Sequence, residues 1–189
     1  MNLKKSTQNS TDTVESDIEI DTKIKKNKSE RRVAQLQKLD PDVFEKKDYW
    51  DRKSMNGFTT LPRVLPIAMQ IADILTKGKP IGHTYFCLWA RQPDFSLVKI
   101  DNPQAFATEA GFSGSRALDT WKSRIAKLVE YKFIYSYPGY SGPYHHILLR
   151  DPVRVIKELY EEGKLDSSIL TNLYGRFMER AEEVGASYD

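Results

Sequence analysis

Between Arg116 and Lys127 the polar and basic residues are spaced so that they fall together. At about 100° per residue, Arg116, Thr120, Ser123 and Lys127 lie near one side of a helix, with Lys122 and Arg124 on its flanks. The opposite side carries Leu118, Trp121, Ile125 and Leu128 at alternating spacings of three and four, an apolar stripe that belongs against a core. The polar face has the chemistry of a nucleic-acid reader. Arginine can pair bidentately with a guanine edge, serine and threonine with base edges or phosphate oxygens, and lysine with phosphate as a point charge. Asp119 and Glu130 are its acidic exceptions. Any solvated amphipathic helix also carries a charged outer face, so this one acquires meaning only from the elements around it.

Other residues capable of chemistry are poorly arranged for it. His83, His145 and His146 lack the spacing of a helical zinc pair, and adjacent histidines in a strand point to opposite faces, which puts one inside and one outside. Gly111-Phe112-Ser113-Gly114-Ser115 begins like a nucleophile elbow but has serine where the last glycine belongs, and no predicted strand precedes it. Cys87, the single cysteine, excludes an internal disulfide and reads as packing within an aromatic segment. Neither common phosphate-binding glycine loop is present. The expectation is a protein that is not an enzyme and uses neither metal nor cofactor.

The basic face needs elements to hold it. Asn102-Pro103 is a helix start, since asparagine can cap free amides and proline loses nothing in the first turn. Gly111 closes that short helix, and Ser113 and Ser115 are competent caps for the next. After Tyr131 come a β-prone aromatic run to Tyr137, dense turn residues from Pro138 to Pro143, and a second β-prone run from Tyr144 to Leu149. These runs predict a hairpin with a loop longer than the minimum.

Asn102 to Arg150 resembles the winged helix-turn-helix superfamily of DNA-binding proteins. Asn102–Gly111 looks like its first crossing helix and turn, Ser115–Glu130 like its recognition helix, and Leu128–Ile134 like the hinge into the wing. The resemblance implies a mainly α chain with a small β-sheet, an α+β fold with additional N- and C-terminal helices. The wing tip departs from the most obvious DNA-binding pattern because it carries no Lys or Arg. Winged helices also serve as protein-interaction modules, so fold alone does not settle function.

Residues 1–48 read as a disordered polar and basic arm, too poor in large apolar residues to offset ordering entropy. Its later part places Val33, Leu36 and Leu39 at helical spacing before Asp40-Pro41-Asp42 breaks the pattern, and its lysines and Arg31-Arg32 could track phosphates. The winged domain is expected over 49–163, anchored by Tyr49 and Trp50. Pro66 starts a helix to Lys77 with Ile67, Ile71, Ile74 and Leu75 inward, and Gly78-Lys79-Pro80 stops it. Gly82–Gln92 is β-prone by residue type, yet a winged domain needs a supporting helix there, followed by a short strand over Ser96–Ile100 that pairs with the wing. Val153–Glu162 is a helix stopped by Gly163. The last segment, 164–189, carries Leu170, Leu173, Tyr174, Phe177, Ala181 and Val184 along one side of a helix that Gly175 weakens. That helix either caps the domain or pairs with a second copy through Leu173, Phe177 and Ala181.

At 189 residues, 40% hydrophobic and 29% charged, the chain suffices for one core with tails. No apolar run approaches the roughly 18 residues of a membrane span, and the polar beginning predicts no secretory leader, so a cytoplasmic place is expected. Residues 51–150 carry thirteen basic and seven acidic side chains, so the excess positive charge lies in the winged segment. The leading expectation is a sequence-specific binder of double-stranded DNA, a transcriptional regulator or a replication or partition accessory factor of a bacterial or mobile element. Its contacts would be Arg116, Thr120, Lys122, Ser123, Arg124 and Lys127, with Arg63 or Lys132 as further phosphate holders. The alternative is a winged-helix protein-interaction module docking through Tyr135, Tyr137, Tyr140 and Tyr144.

Overall fold

A computed structural model describes residues 29–93 and 95–186. The chain divides into two compact units between Asn56 and Gly57, later than the boundary expected at Tyr49. Residues 1–28, with the lysines of the expected basic arm, lie outside the described residues.

Residues 29–46 of the first unit, expected within a polar arm, form two short helices: α1 over 29–39 and α2 over Pro41–Lys46. The break at Asp40 ends one helix and begins the other. Its carboxylate accepts the Val43 amide at 3.0 Å, and Pro41 takes the first turn, where it sacrifices no bond. Phe44 stacks on Tyr49 with ring centroids 6.2 Å apart. Trp50 is 63% exposed and anchors no core, which corrects the expectation placed on it.

The second unit begins with α3 (Leu65–Leu75), α4 (Gly82–Arg91) and β1 (Leu97–Lys99), then α5 (Pro103–Glu109) and α6 (Ala117–Glu130). It ends with β2 (Ile134–Gly139), β3 (Gly142–Leu149), α7 (Pro152–Glu161) and α8 (Ser168–Glu183). The class is mixed α+β. The sheet is antiparallel in the order β1-β3-β2, so the strand that arrives last in sequence lies in the middle. That order ties α5 and α6 to a rigid sheet at both ends, because β1 precedes them and β2 follows.

The β-prone segment at 82–91 is helical because Ile81, Tyr85 and Leu88, spaced four and three apart, all turn inward, outweighing residue-type preference. On α3 the buried set is Leu65, Ala68, Ile71 and Ala72, while Ile67, Ile74 and Leu75 are only half-buried. The expected stripe was therefore turned too far toward the large residues; α3 packs on both α4 and α8, and its two alanines are fully buried.

The hairpin corrects the expected long loop. Gly139 pairs with Gly142, leaving only Tyr140 and Ser141 to turn, and Gly142 adopts φ +120°, a conformation closed to most side chains. Pro138 has no pairing partner and sits at an irregularity between Tyr137 and Gly139, where its missing amide costs no ladder bond. The turn region expected as loop is thus mostly strand. On its inner side the sheet buries Val98, Ile134, Ile147 and Leu149.

α7 and α8 complete the core. Asp151 caps α7 through the Val153 amide at 3.1 Å, and Ser167 caps α8 through Leu170 at 3.3 Å. Leu170, Leu173, Phe177 and Ala181 are buried, and α8 packs on α3 and α7. The apolar seam considered for a second copy is therefore already covered by the chain's own helices. α8 also runs unbroken through Gly175. Among the described residues no helix is long and apolar enough to cross a membrane.

Candidate nucleic-acid interface

α6 is held at its start by the turn from α5. The Asn102 side chain accepts the amides of Gln104 and Ala105 at 3.1 and 3.2 Å, as its sequence position predicts. Gly111, at φ +81°, closes α5 and sends the chain toward α6. Neither Ser113 nor Ser115 caps α6. The Ala117 amide bonds to the Gly114 carbonyl at 3.2 Å, so the chain enters the helix one residue later and Arg116 occupies the cap position without a side-chain bond.

The inward side of α6 is Ala117, Trp121, Ile125 and Leu128, with Leu118 half-buried beside them. Trp121 lies between Phe106 of α5 and Tyr144 of β3, each ring centroid 6.3 Å away. These contacts set the rotation of the helix. At its far end, Lys132 takes a left-handed φ of 59°, and the Phe133 amide bonds back to Leu128 at 2.9 Å as the chain turns into β2. The Tyr131 hydroxyl donates to the Leu75 carbonyl at 3.3 Å and ties this end to α3.

Of the six residues expected to face a ligand, Arg116 and Lys122 are exposed, and Thr120, Ser123, Arg124 and Lys127 are half-buried. Arg116, Thr120, Ser123 and Arg124 share a shallow concavity of about 320 Å³ with Asp119, Gly78 and Lys79. Lys122 is outside it. Lys127 is turned to Glu130, whose carboxylate lies 2.6 Å away and holds the lysine's proton more tightly than usual. Arg124 sits 5.9 Å from the Phe112 ring, and its Nε is buried without a hydrogen-bond partner. Lys79 was read in the sequence only as part of a helix stop. Nothing in its spacing relates it to α6, since the two are brought together only in the folded unit, where α3 packs on α4 and α4 on α6.

Of the two further phosphate candidates, Arg63 is exposed before α3, and Lys132 is bound to Glu162 at 2.6 Å. On the hairpin, Tyr135, Tyr137 and Tyr140 are exposed, Tyr140 by 74%, whereas Tyr144 packs against Trp121 and is not available as expected. His145 is buried, its Nδ1 2.8 Å from the Ser141 Oγ and 3.1 Å from the Ile100 carbonyl oxygen; His146 is half-buried rather than exposed. Cys87 is also buried, and burial, aided by Glu109, pushes its thiol toward the protonated form. Ser113 follows a helix rather than a strand. Among the described residues no three His, Cys, Asp or Glu side chains are grouped to hold a metal ion. Comparison with protein-family models, with curated proteins and with solved structures returned no match for this chain.

Proposed function

We infer that the chain is a sequence-specific DNA-binding protein in which α4 to β3 form a winged helix-turn-helix and α6 is the reading helix. The observation that carries the reading is the division of α6 into two sides. Trp121, Ile125 and Leu128 lock one against the core, while Arg116, Thr120 and Ser123 are left on the other around an open concavity. Support comes also from the order helix, strand, two helices and hairpin with β3 central, the element order a winged helix-turn-helix has. A role in transcription, or as a replication or partition accessory factor of a bacterial or mobile element, would follow from such binding.

The test is selection of bound fragments from random genomic DNA, followed by sequencing. An enriched motif is expected, and Arg116→Ala should cost about 1 to 3 kcal/mol on it while relaxing the base preference at one position. Equal losses on motif and random DNA would remove the proposed base contact.

A second reading, a protein-interaction module, is favoured by the outer side of the sheet. Register aligns Leu97, Leu148 and Tyr135 in one row and Lys99, His146 and Tyr137 in the next, with three of the four outer residues on β1 and β2 strongly exposed and aromatic or apolar. If DNA binding is absent at low salt, this face is the one to pursue.

A further inference from the structure

Several cations of the second unit are occupied. Arg91 holds Glu109, Lys99 holds Asp101, Lys132 holds Glu162, Arg150 holds Glu158 and Arg180 holds Glu183. Lys79 and Arg116 hold no carboxylate among the described residues, although they line the same concavity as Asp119. Arg124 joins them with a buried Nε that has no acceptor. Thr120 and Ser123 add hydroxyls. Lys79 and Arg124 thus border one small open space at the margin of the face formed by Arg116, Thr120 and Ser123, against a single carboxylate, the composition of a seat for an anion whose charge is spread over several oxygens.

The segment that brings Lys79 there is fixed. The Thr76 hydroxyl donates to the Ala72 carbonyl at 2.8 Å, and the Lys79 amide donates to the Thr76 carbonyl at 2.8 Å. On the far side Asp73 accepts the Gly82 amide at 2.6 Å, which spends its carboxylate on the start of α4 instead of on a lysine. A side chain added at Gly82 would meet the Asp73 carboxylate at 2.9 Å, so the two helices are closely fitted at this join. The turn is pre-organised, and only the lysine side chain need be ordered on binding.

We propose that this concavity seats a backbone phosphate of duplex DNA, so that the α3–α4 turn clamps the sugar–phosphate strand beside the groove that α6 enters. The proposal rests on the DNA-binding reading and adds a contact from an element outside the two-helix unit. Lys79 supplies the phosphate charge, and Arg124, held beside Phe112, lines the same seat. Lys127, engaged with Glu130, contributes less than its position on the helix suggests.

Fluorescence anisotropy with random-sequence duplex DNA, titrated between about 50 and 200 mM salt, tests it. For Lys79→Gln, affinity should fall roughly three- to tenfold, and the slope of log K against log salt should shrink by about 0.9, one phosphate contact. Lys79→Arg should keep both. Arg176→Gln is the control, because Arg176 on α8 is likewise without a carboxylate partner among the described residues but lines a different groove. Circular dichroism checks that each variant is folded. If the wild type shows salt-sensitive binding and Lys79→Gln matches it in affinity and slope, the clamp is wrong while the DNA-binding reading stands. Equal losses for Lys79→Gln and Arg176→Gln, or failure of Lys79→Arg to retain binding, also overturn the clamp. Absence of salt-sensitive binding by the wild type overturns both.

Discussion

Phe177→Ala separates the two roles open to the last helix. Phe177 is fully buried, Leu173 and Ala181, one turn to either side, are buried with it, and α8 packs on α3 and α7. Removing a buried phenylalanine ring costs about 3 to 5 kcal/mol, the loss of transfer free energy plus the cavity left when neighbours relax only partly. Domains of this size have a total stability of about 5 to 15 kcal/mol, so the substitution removes a large share of it. With about 3 to 5 °C of melting temperature per kcal/mol for a unit of this length, a fall of roughly 10 to 20 °C is expected. The assay is thermal unfolding by circular dichroism at two protein concentrations tenfold apart, beside sedimentation of the same samples. If the helix completes its own core, the fall is large, independent of concentration and unaccompanied by a change of mass. A small fall, a melting temperature that rises with concentration in the wild type, and a dimer lost on substitution would refute the packing argument and restore the intermolecular seam.

Gly175→Ala should act in the opposite direction. Gly175 lies inside α8, and an added methyl group meets nothing within 4 Å, so the gain is that of alanine over glycine in an exposed helix, about 0.5 to 1 kcal/mol, read as a melting temperature a few degrees higher. Acid should weaken the fold through its ion pairs. Lys132 and Lys164, 2.6 and 2.7 Å from Glu162, hold its carboxyl at about 2, and Arg150 and Arg91 likewise hold Glu158 and Glu109 below the ordinary range. Because these folded values are depressed, their contribution is present above the ordinary carboxylate range near 4.3 and is lost as pH falls from there toward 2. Glu162→Gln should flatten that acid limb in a melting series, and an unchanged limb would show that the pair contributes nothing.

Much of the local structure was determined by short-range chemistry. Asn102-Pro103 starts α5, Gly111 ends it, the three-and-four spacing of Trp121, Ile125 and Leu128 sets which side of α6 is buried, and Gly163 stops the chain after α7. Each depends on neighbours within a turn or two, which a sequence displays directly. The misses have a common physical origin in contacts between distant residues. Whether Ser113 or Ser115 capped α6 depended on where the Gly114 turn delivered the chain, and whether Tyr144 was free depended on Trp121 lying beneath it. The α8 stripe reads the same for a self-packed helix as for a dimer seam, and only the position of α3 against it distinguishes them.

The candidate site divides in the same way. Helical periodicity alone placed Arg116, Thr120 and Ser123 on one face, because a helix fixes the angles between its own residues. Their environment came from elsewhere in the chain: Glu130 takes up Lys127, Phe112 backs Arg124, and Lys79 reaches the concavity from a turn nearly forty positions earlier. A sequence gives side-chain type and local angle, but the meeting of Lys79 with Arg116 exists only once α3 has packed on α4 and α4 on α6, since charge proximity across separate elements is a property of the assembled core.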